Sequence, residues 1–133
     1  MKSQKLHPYL QLHQHLMMMT RPSKRLVDLD HVKYVKTQPC FVRRAGFHGC
    51  QGPIQAHHLL KPGDKKRGMS LKAGDNWCIP LCMHHHHLLH TKYGDEHKFF
   101  KRYGIPEDGG IKYAMDLYNK TNLYRDSDDD LPF

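Results

Sequence analysis

Thirteen of the 133 residues are histidines, and seven of them fall into two groups. One is the pair His57-His58. The other is His84, His85, His86, His87 and His90, directly behind Pro80-Leu81-Cys82. His86 and His90 are four residues apart, so on a helix they share a face and can grip one cation with two imidazoles. Cys82 and His85 are three apart at the start of the same segment. His85 and His86 would point about 100° apart on a helix, so one metal does not easily use both pairs, and two sites follow. In the first, Cys40, Cys50, Cys82 and His85 supply three thiolates and one imidazole, the donor set of a closed tetrahedral zinc site. The second would draw on His57, His86 and His90, with His58 beside it. Neighbouring side chains of a strand face opposite ways, so His57 and His58 should do different jobs. One can bind metal while the other deprotonates water across a scissile phosphate. Imidazole suits that base role because its pKa lies near neutral pH. A cation there would draw charge from the phosphoryl oxygens and the leaving oxygen.

Other candidate groups have plainer readings. Cys78, between Trp77 and Ile79, reads as a buried strand residue. His84 and His87 flank the ligand positions and read as exposed. His7, His13, His15, His31, His48 and His97 have no evident partner in the sequence. Lys61, Lys65, Lys66, Arg67 and Lys72 crowd a glycine-bearing loop that can contact phosphates in a salt-dependent, sequence-blind way. The competing reading of that loop is a solvated charged turn.

The elements that must position these groups can be read in outline. Asp28 or Asp30 can cap a short helix through residues 31–36, which Pro39 would stop. Glycines at 46, 49 and 52 make the stretch from Cys40 to Pro53 a knuckle-like loop. Residues 53–60 and 76–81 read as two short strands on either side of the basic loop. Cys82 to Lys92 reads as a helix stopping near Gly94. Asp95 reads as the N-cap of a helix over 96–103, with Phe99, Phe100 and Tyr103 as its packing face. A last helix passes through Ile111, Ala114, Met115, Leu117 and Tyr118. The expected division is a flexible basic arm over 1–27, one domain over 28–120 and an acidic flexible tail over 121–133.

Composition narrows the class. Hydrophobic residues make up 38% of the chain, a thin core that a structural metal would help hold together. Lys and Arg number 21 against 13 Asp and Glu, a formal charge of +8, which favours a polyanionic partner such as nucleic acid. No apolar run approaches the ~20 residues of a membrane span, and no convincing signal peptide is present. The expected location is cytoplasmic, where the four cysteines favour metal ligation over disulfides.

With these residues in view, the chain resembles the HNH nuclease family, the ββα-metal or His-Me finger fold. Gln55-Ala56-His57-His58-Leu59 resembles the family's first motif strand. The stretch from Ile79-Pro80-Leu81-Cys82 to His90 resembles the Pro-Leu-Cys-x-x-His-His-x-x-x-His helix of phage and prophage members, the Ref-type recombination nucleases among them. Gly94-Asp95 to Tyr103-Gly104-Ile105 resembles the helix that follows in that subgroup. The resemblance covers roughly residues 31–118. It departs from the family at the middle Asn, expected where Trp77 stands; Asn76 is one place off, and Asp75 is a candidate substitute. The knuckle departs too, with His85 in place of a cysteine and a longer first half.

The resemblance implies a small α+β ββα-metal domain with a zinc-knuckle-like loop and additional C-terminal helices. It implies hydrolysis of DNA phosphodiester bonds, with His57, His86 and His90 as ligands of a catalytic Mg²⁺, Mn²⁺ or other divalent cation and His58 as general base. The products would carry 5′-phosphate and 3′-hydroxyl ends. Structural Zn²⁺ would sit on Cys40, Cys50, Cys82 and His85. DNA is the expected partner, with a recombination or replication protein as a possible second, and a bacterial host cell is the setting if the chain is phage- or prophage-encoded. Two other readings compete: a zinc-stabilised DNA-binding module without catalysis, and a histidine-rich metal-binding or storage protein.

Overall fold

The structure, a computed structural model, describes residues 25–63 and 72–127. Lys65, Lys66 and Arg67, the arm through residue 24 and the tail from residue 128 lie outside the described residues.

Helix α1 spans Leu29–Lys36. Asp28 is its cap, the carboxylate accepting the His31 N–H at 3.2 Å and satisfying one of the free donors of the first turn. His31, Tyr34 and Val35 form its buried face, at the spacing of one helical stripe. A single turn, α2 (Phe41–Arg44), follows within the stretch expected to be a loop. Phe41 and Val42 are both buried there, and helical backbone lets two adjacent apolar side chains reach the core. Gly49, at φ 91°, then turns the chain immediately before Cys50 in a conformation costly for any residue with a Cβ.

Strands β1 (Ile54–His58) and β2 (Cys78–Cys82) pair antiparallel, with His57 opposite Ile79 and His58 opposite Cys78. A 3₁₀ turn, Asp75–Trp77, leads into β2, so Asn76 and Trp77 belong to a turn and not to the strand expected from 76. All five residues of β2 are buried, which is why its sequence is an unbroken apolar run. Pro80 is tolerated because a two-stranded sheet asks only one side of each strand for ladder bonds.

Helix α3 (Met83–Leu88) continues directly from β2 and widens into a π turn at Leu89–Tyr93. Gly94, at φ 65°, ends it and donates its N–H to Leu89 O at 2.7 Å. Helix α4 (Glu96–Arg102) starts at Asp95, whose carboxylate accepts the His97 N–H at 2.9 Å. Helix α5 (Gly109–Asp126) closes the described chain. Gly110 lets it approach α4: a Cβ there would lie 2.9 Å from the Phe100 ring.

The core lies between the ribbon and the helices. Its aromatic part joins Phe41, stacked 4.9 Å from Tyr113, to Phe100 at 5.9 Å, and Phe99 to Tyr103 at 5.1 Å. The result is an α+β fold with one two-stranded sheet and several helices.

Ordered contacts run past residue 120 at one end and before residue 28 at the other. Helix α5 runs to Asp126, into the stretch expected as a solvated tail from 121. Thr121 is buried there, its hydroxyl sharing a 2.7 Å hydrogen bond with His31 Nδ1, and Arg125 holds the Asp28 carboxylate at 2.6 and 2.7 Å. At the other end, Arg25 and Leu26 belong to the fold. The Arg25 guanidinium donates to Asp75 at 2.6 Å, and Leu26 O accepts the Asp75 N–H at 2.9 Å.

His31 links α1 to α5 with no exposed surface, and burial lowers its pKa from 6.5 to about 4, more than the Asp28 carboxylate restores. A histidine depressed in the folded state supports stability fully above about pH 6.5, and that support is lost as pH falls toward about 4. Between about pH 7.5 and about pH 5.5, the unfolding free energy of the wild type in urea should fall by roughly 1.4 kcal/mol more than that of His31→Gln. Parallel pH dependences would show that His31 is not held neutral by the fold.

Candidate functional site

The three cysteines of the expected zinc set come from different parts of the chain. Cys40 precedes α2, Cys50 follows the Gly49 turn, and Cys82 ends β2. Their sulfurs lie 3.7, 3.7 and 3.2 Å from His85 Nδ1. A sulfur about 2.3 Å and a nitrogen about 2.0–2.1 Å from one tetrahedral ion would be ~3.6 Å apart. The Cys₃His group therefore fits zinc, and Cys40, Cys50, Cys82 and His85 can hold one ion. Burial pushes the Cys82 thiol up, but the backbone N–H groups of His85 and Gln51 and the two facing thiols outweigh it, and the net shift is downward, toward thiolate. Cys50 goes the other way, to about 12, through burial and then the charge of Cys40 and Cys82. Three crowded sulfurs cannot all ionise without a cation among them, which is the environment that zinc relieves. Cys78 stands apart from the group: it is fully buried in β2, and burial lifts its thiol to about 12.

The second group forms around β1, whose period-two alternation separates His57 from His58. His57 is buried and turns toward the helix, where its Nδ1 lies 3.1 Å from His86 Nε2. His90 sits at the start of the π turn, its ring 5.4 Å from that of His57 and 4.9 Å from that of His86. Each of the three offers a ring nitrogen within 4.8 Å of the others. Burial, then the nearby charges of His57, His90 and His58, lowers the His86 pKa to about 4, and burial likewise lowers that of His90. Both rings are thus neutral near pH 7, the state in which imidazole binds metal.

His58 faces the other way. Its Nε2–H donates to Asp75 Oδ1 at 2.8 Å. The same carboxylate accepts from Arg25 at 2.6 Å and from the Asp28 N–H at 2.7 Å. Burial alone would raise the Asp75 carboxyl, but Asp28 N–H, His58 and Arg25 outweigh it and hold it below its ordinary value. Burial lowers the His58 pKa more than Asp75 raises it, so its imidazole is neutral near pH 7. With the proton on Nε2, the lone pair is on Nδ1.

The structure thus brings together Cys40, Cys50, Cys82 and His85, and separately His57, His86 and His90, with His58 on the opposite face of the strand. Lys61 and Lys72 are exposed on either side of residues 64–71; Lys65, Lys66 and Arg67 lie outside the described residues. His87, His48 and His97 are exposed, whereas His84 is half-buried with its ring 5.2 Å from His85.

Three side chains at the site carry no signal in the sequence. Glu96, read only as the first residue of a helix, accepts from His57 Nε2–H and from the Leu60 N–H, both at 2.7 Å, and from the Lys61 N–H at 3.2 Å. Gln55 Oε1 lies 2.7 Å from His86 Nδ1. Arg25, assigned to the arm, reaches Asp75. Only Asp75 had a clue, its nearness to the position of the missing middle Asn.

The fold and these two clusters define a compact α+β unit built around Cys/His metal-ligand groups. Residues 10–114 match the family described as "Protein of unknown function (DUF968)", and the chain belongs to that family. It is 38% identical over 82 residues to "Uncharacterized protein YdfU" of Escherichia coli (strain K12). That alignment covers 61% of this chain and 20% of the relative, so the chain spans about a fifth of the relative's length. No solved structure matches it.

Elemental analysis of the purified chain should give one tightly held zinc for wild type and for Cys78→Ala, and less than about a tenth of that for Cys82→Ser, because three remaining donors leave the site open. Equal zinc in Cys82→Ser would remove the Cys₃His assignment.

Proposed function

We propose that this chain is a metal-dependent endonuclease of HNH type that hydrolyses DNA phosphodiester bonds. One observation carries the reading: adjacent residues of β1 point one imidazole into a group with His86 and His90 and the next, neutral and held by a carboxylate, to the other face. The order strand, strand, helix, with the ligand pair His86 and His90 following β2, agrees with the sequence resemblance. The donor set fits a first-row divalent cation. Two nitrogens bound to one tetrahedral ion lie ~3.3 Å apart, and His57 Nδ1 and His86 Nε2 are 3.1 Å apart.

When bound, Mn²⁺ or another first-row divalent ion on His57, His86 and His90 would supply Lewis-acid stabilisation of the phosphoryl group and of the leaving 3′ oxygen. The remaining work falls to the chain. Asp75 fixes the His58 ring with Nε2–H toward itself, so Nδ1 is the atom that accepts a proton from the attacking water. His58 is accessible enough to meet solvent, its side chain being 18% exposed. Arg25 and the Asp28 N–H keep Asp75 ionised, which stabilises the imidazolium that forms. Lys61 and Lys72, with Lys65, Lys66 and Arg67 between them in sequence, provide cations for the phosphate backbone without reading bases. Attack forms the new P–O bond to water and breaks the P–O3′ bond; the 3′ oxygen takes a proton from solvent, leaving a 5′-phosphate and a 3′-hydroxyl.

The test is nicking of supercoiled plasmid with Mg²⁺, Mn²⁺ or Ni²⁺. His58→Ala should slow it by about 10²–10⁴-fold, while His87→Ala, exposed and a member of neither cluster, should cut at the wild-type rate. Equal nicking by wild type and His58→Ala would sink the enzyme reading. DNA binding with no nicking under any metal would favour a zinc-stabilised binding module.

A further inference from the structure

We infer that Glu96 and Gln55 are positioning residues that set the ring tautomers of His57 and His86 and thereby aim two bare imidazole nitrogens at one point. The inference rests on the reading of His57, His86 and His90 as a cation site. A carboxylate near neutral pH only accepts hydrogen bonds, so the 2.7 Å contact from His57 Nε2 to Glu96 Oε2 places a proton on Nε2. The Gln55 carbonyl oxygen also only accepts, so its 2.7 Å contact places the His86 proton on Nδ1. What remains is Nδ1 of His57 and Nε2 of His86, and those are the two atoms that face each other at 3.1 Å. Two lone pairs at that distance repel unless a positive charge stands between them. The outer acceptors thus create a local demand for a cation that the two rings alone would not have, since either ring could otherwise turn its N–H toward the other.

The origin of each acceptor explains its fit. Gln55 precedes His57 by two on β1, so it lies on the same face of the strand and reaches the helix histidine that His57 also meets. Glu96 comes from the first turn of α4, just past the Asp95 cap. It is 5% exposed and has no other charged partner at hydrogen-bond distance among the described residues, its remaining contacts being the Leu60 and Lys61 N–H groups. It therefore ties the loop end that carries Lys61 to the same imidazole. A histidine ligand whose second nitrogen donates to a carboxylate is a more basic and better-oriented ligand, and loss of such a partner typically weakens metal binding about 10–100-fold.

Two measurements on the zinc-loaded 133-residue chain decide the matter. Long-range ¹H–¹⁵N correlation spectra, without and with Mg²⁺, should show protons on Nε2 of His57 and Nδ1 of His86. A proton on His57 Nδ1, or one on His86 Nε2, would overturn the inference. Titration with Mn²⁺ should then show Glu96→Gln weaker by about 10–100-fold and Gln55→Leu weaker by roughly 10-fold, with zinc content unchanged. Gln55→Glu, which restores an acceptor, should bind within about twofold of wild type. Wild-type affinity in both Glu96→Gln and Gln55→Leu overturns this inference alone. A wild type that takes up no Mn²⁺ beyond its zinc overturns the cation site and the inference together.

Discussion

A two-stranded ribbon is only marginally stable in water, and the histidine chemistry of this protein is hung on one. β1 and β2 must be covered to persist, and covering them puts His57, Asp75, His85 and Glu96 out of contact with solvent. A buried ionisable group that lacks a partner costs several kcal/mol, so each of these has to be satisfied inside the fold. Apart from Cys82, three residues before His85, the partners are found far away in sequence. His57 meets Glu96 from α4, Asp75 meets Arg25 and the Asp28 N–H from the segment before α1, and His85 meets sulfurs from three other places. The polar interior is thus a consequence of covering the ribbon, and the helices are fastened where those polar contacts fall.

The strand's alternation gives the two halves of the proposed chemistry separate environments at nearly one place. On the His57 side, burial and the charges of neighbouring histidines keep the His86 and His90 imidazoles neutral and free to ligate. On the His58 side, a carboxylate held ionised by Arg25 orients a ring that burial also keeps neutral. Had β1 slipped by one residue against β2, His58 would face the helix and His57 would face Asp75, and neither set would close. Two side-by-side histidines become different reagents because the backbone between them is extended.

Much of this arrangement was legible because local rules govern it. The i, i+4 pair His86 and His90, the Cys82–His85 helix start, the caps at Asp28 and Asp95 and the opposed faces of His57 and His58 all follow from short-range geometry. The residues that were not legible act across long separations. Glu96 is 39 positions from His57, and Gln55 is 31 from His86. Nothing in the sequence near Glu96 distinguishes it from any acidic residue in a first helical turn. The end of α5 was hard to read for a related reason: Thr121 finds its partner on α1 and Arg125 at the Asp28 cap, both far away in sequence. Composition describes a segment's preference for water, but not whether a buried histidine is waiting for it.

The same long-range contacts connect both ends of the described chain to the proposed base. Arg125 grips Asp28; Asp28 caps α1 through its carboxylate and donates its own N–H to Asp75; Asp75 holds His58. An ion pair like Arg125–Asp28, with the arginine side chain about one-third exposed, adds little stability by itself. Its influence is positional. The Asp28 carboxylate is shared between the helix cap and Arg125, and its backbone N–H is spent on Asp75, so the residue is fixed at both its main chain and its side chain. Asp75 inherits that fixity, and with Arg25 on its other side its carboxylate has little freedom to rotate away from His58. A contact that is weak in energy can therefore still govern the direction in which one imidazole lone pair points.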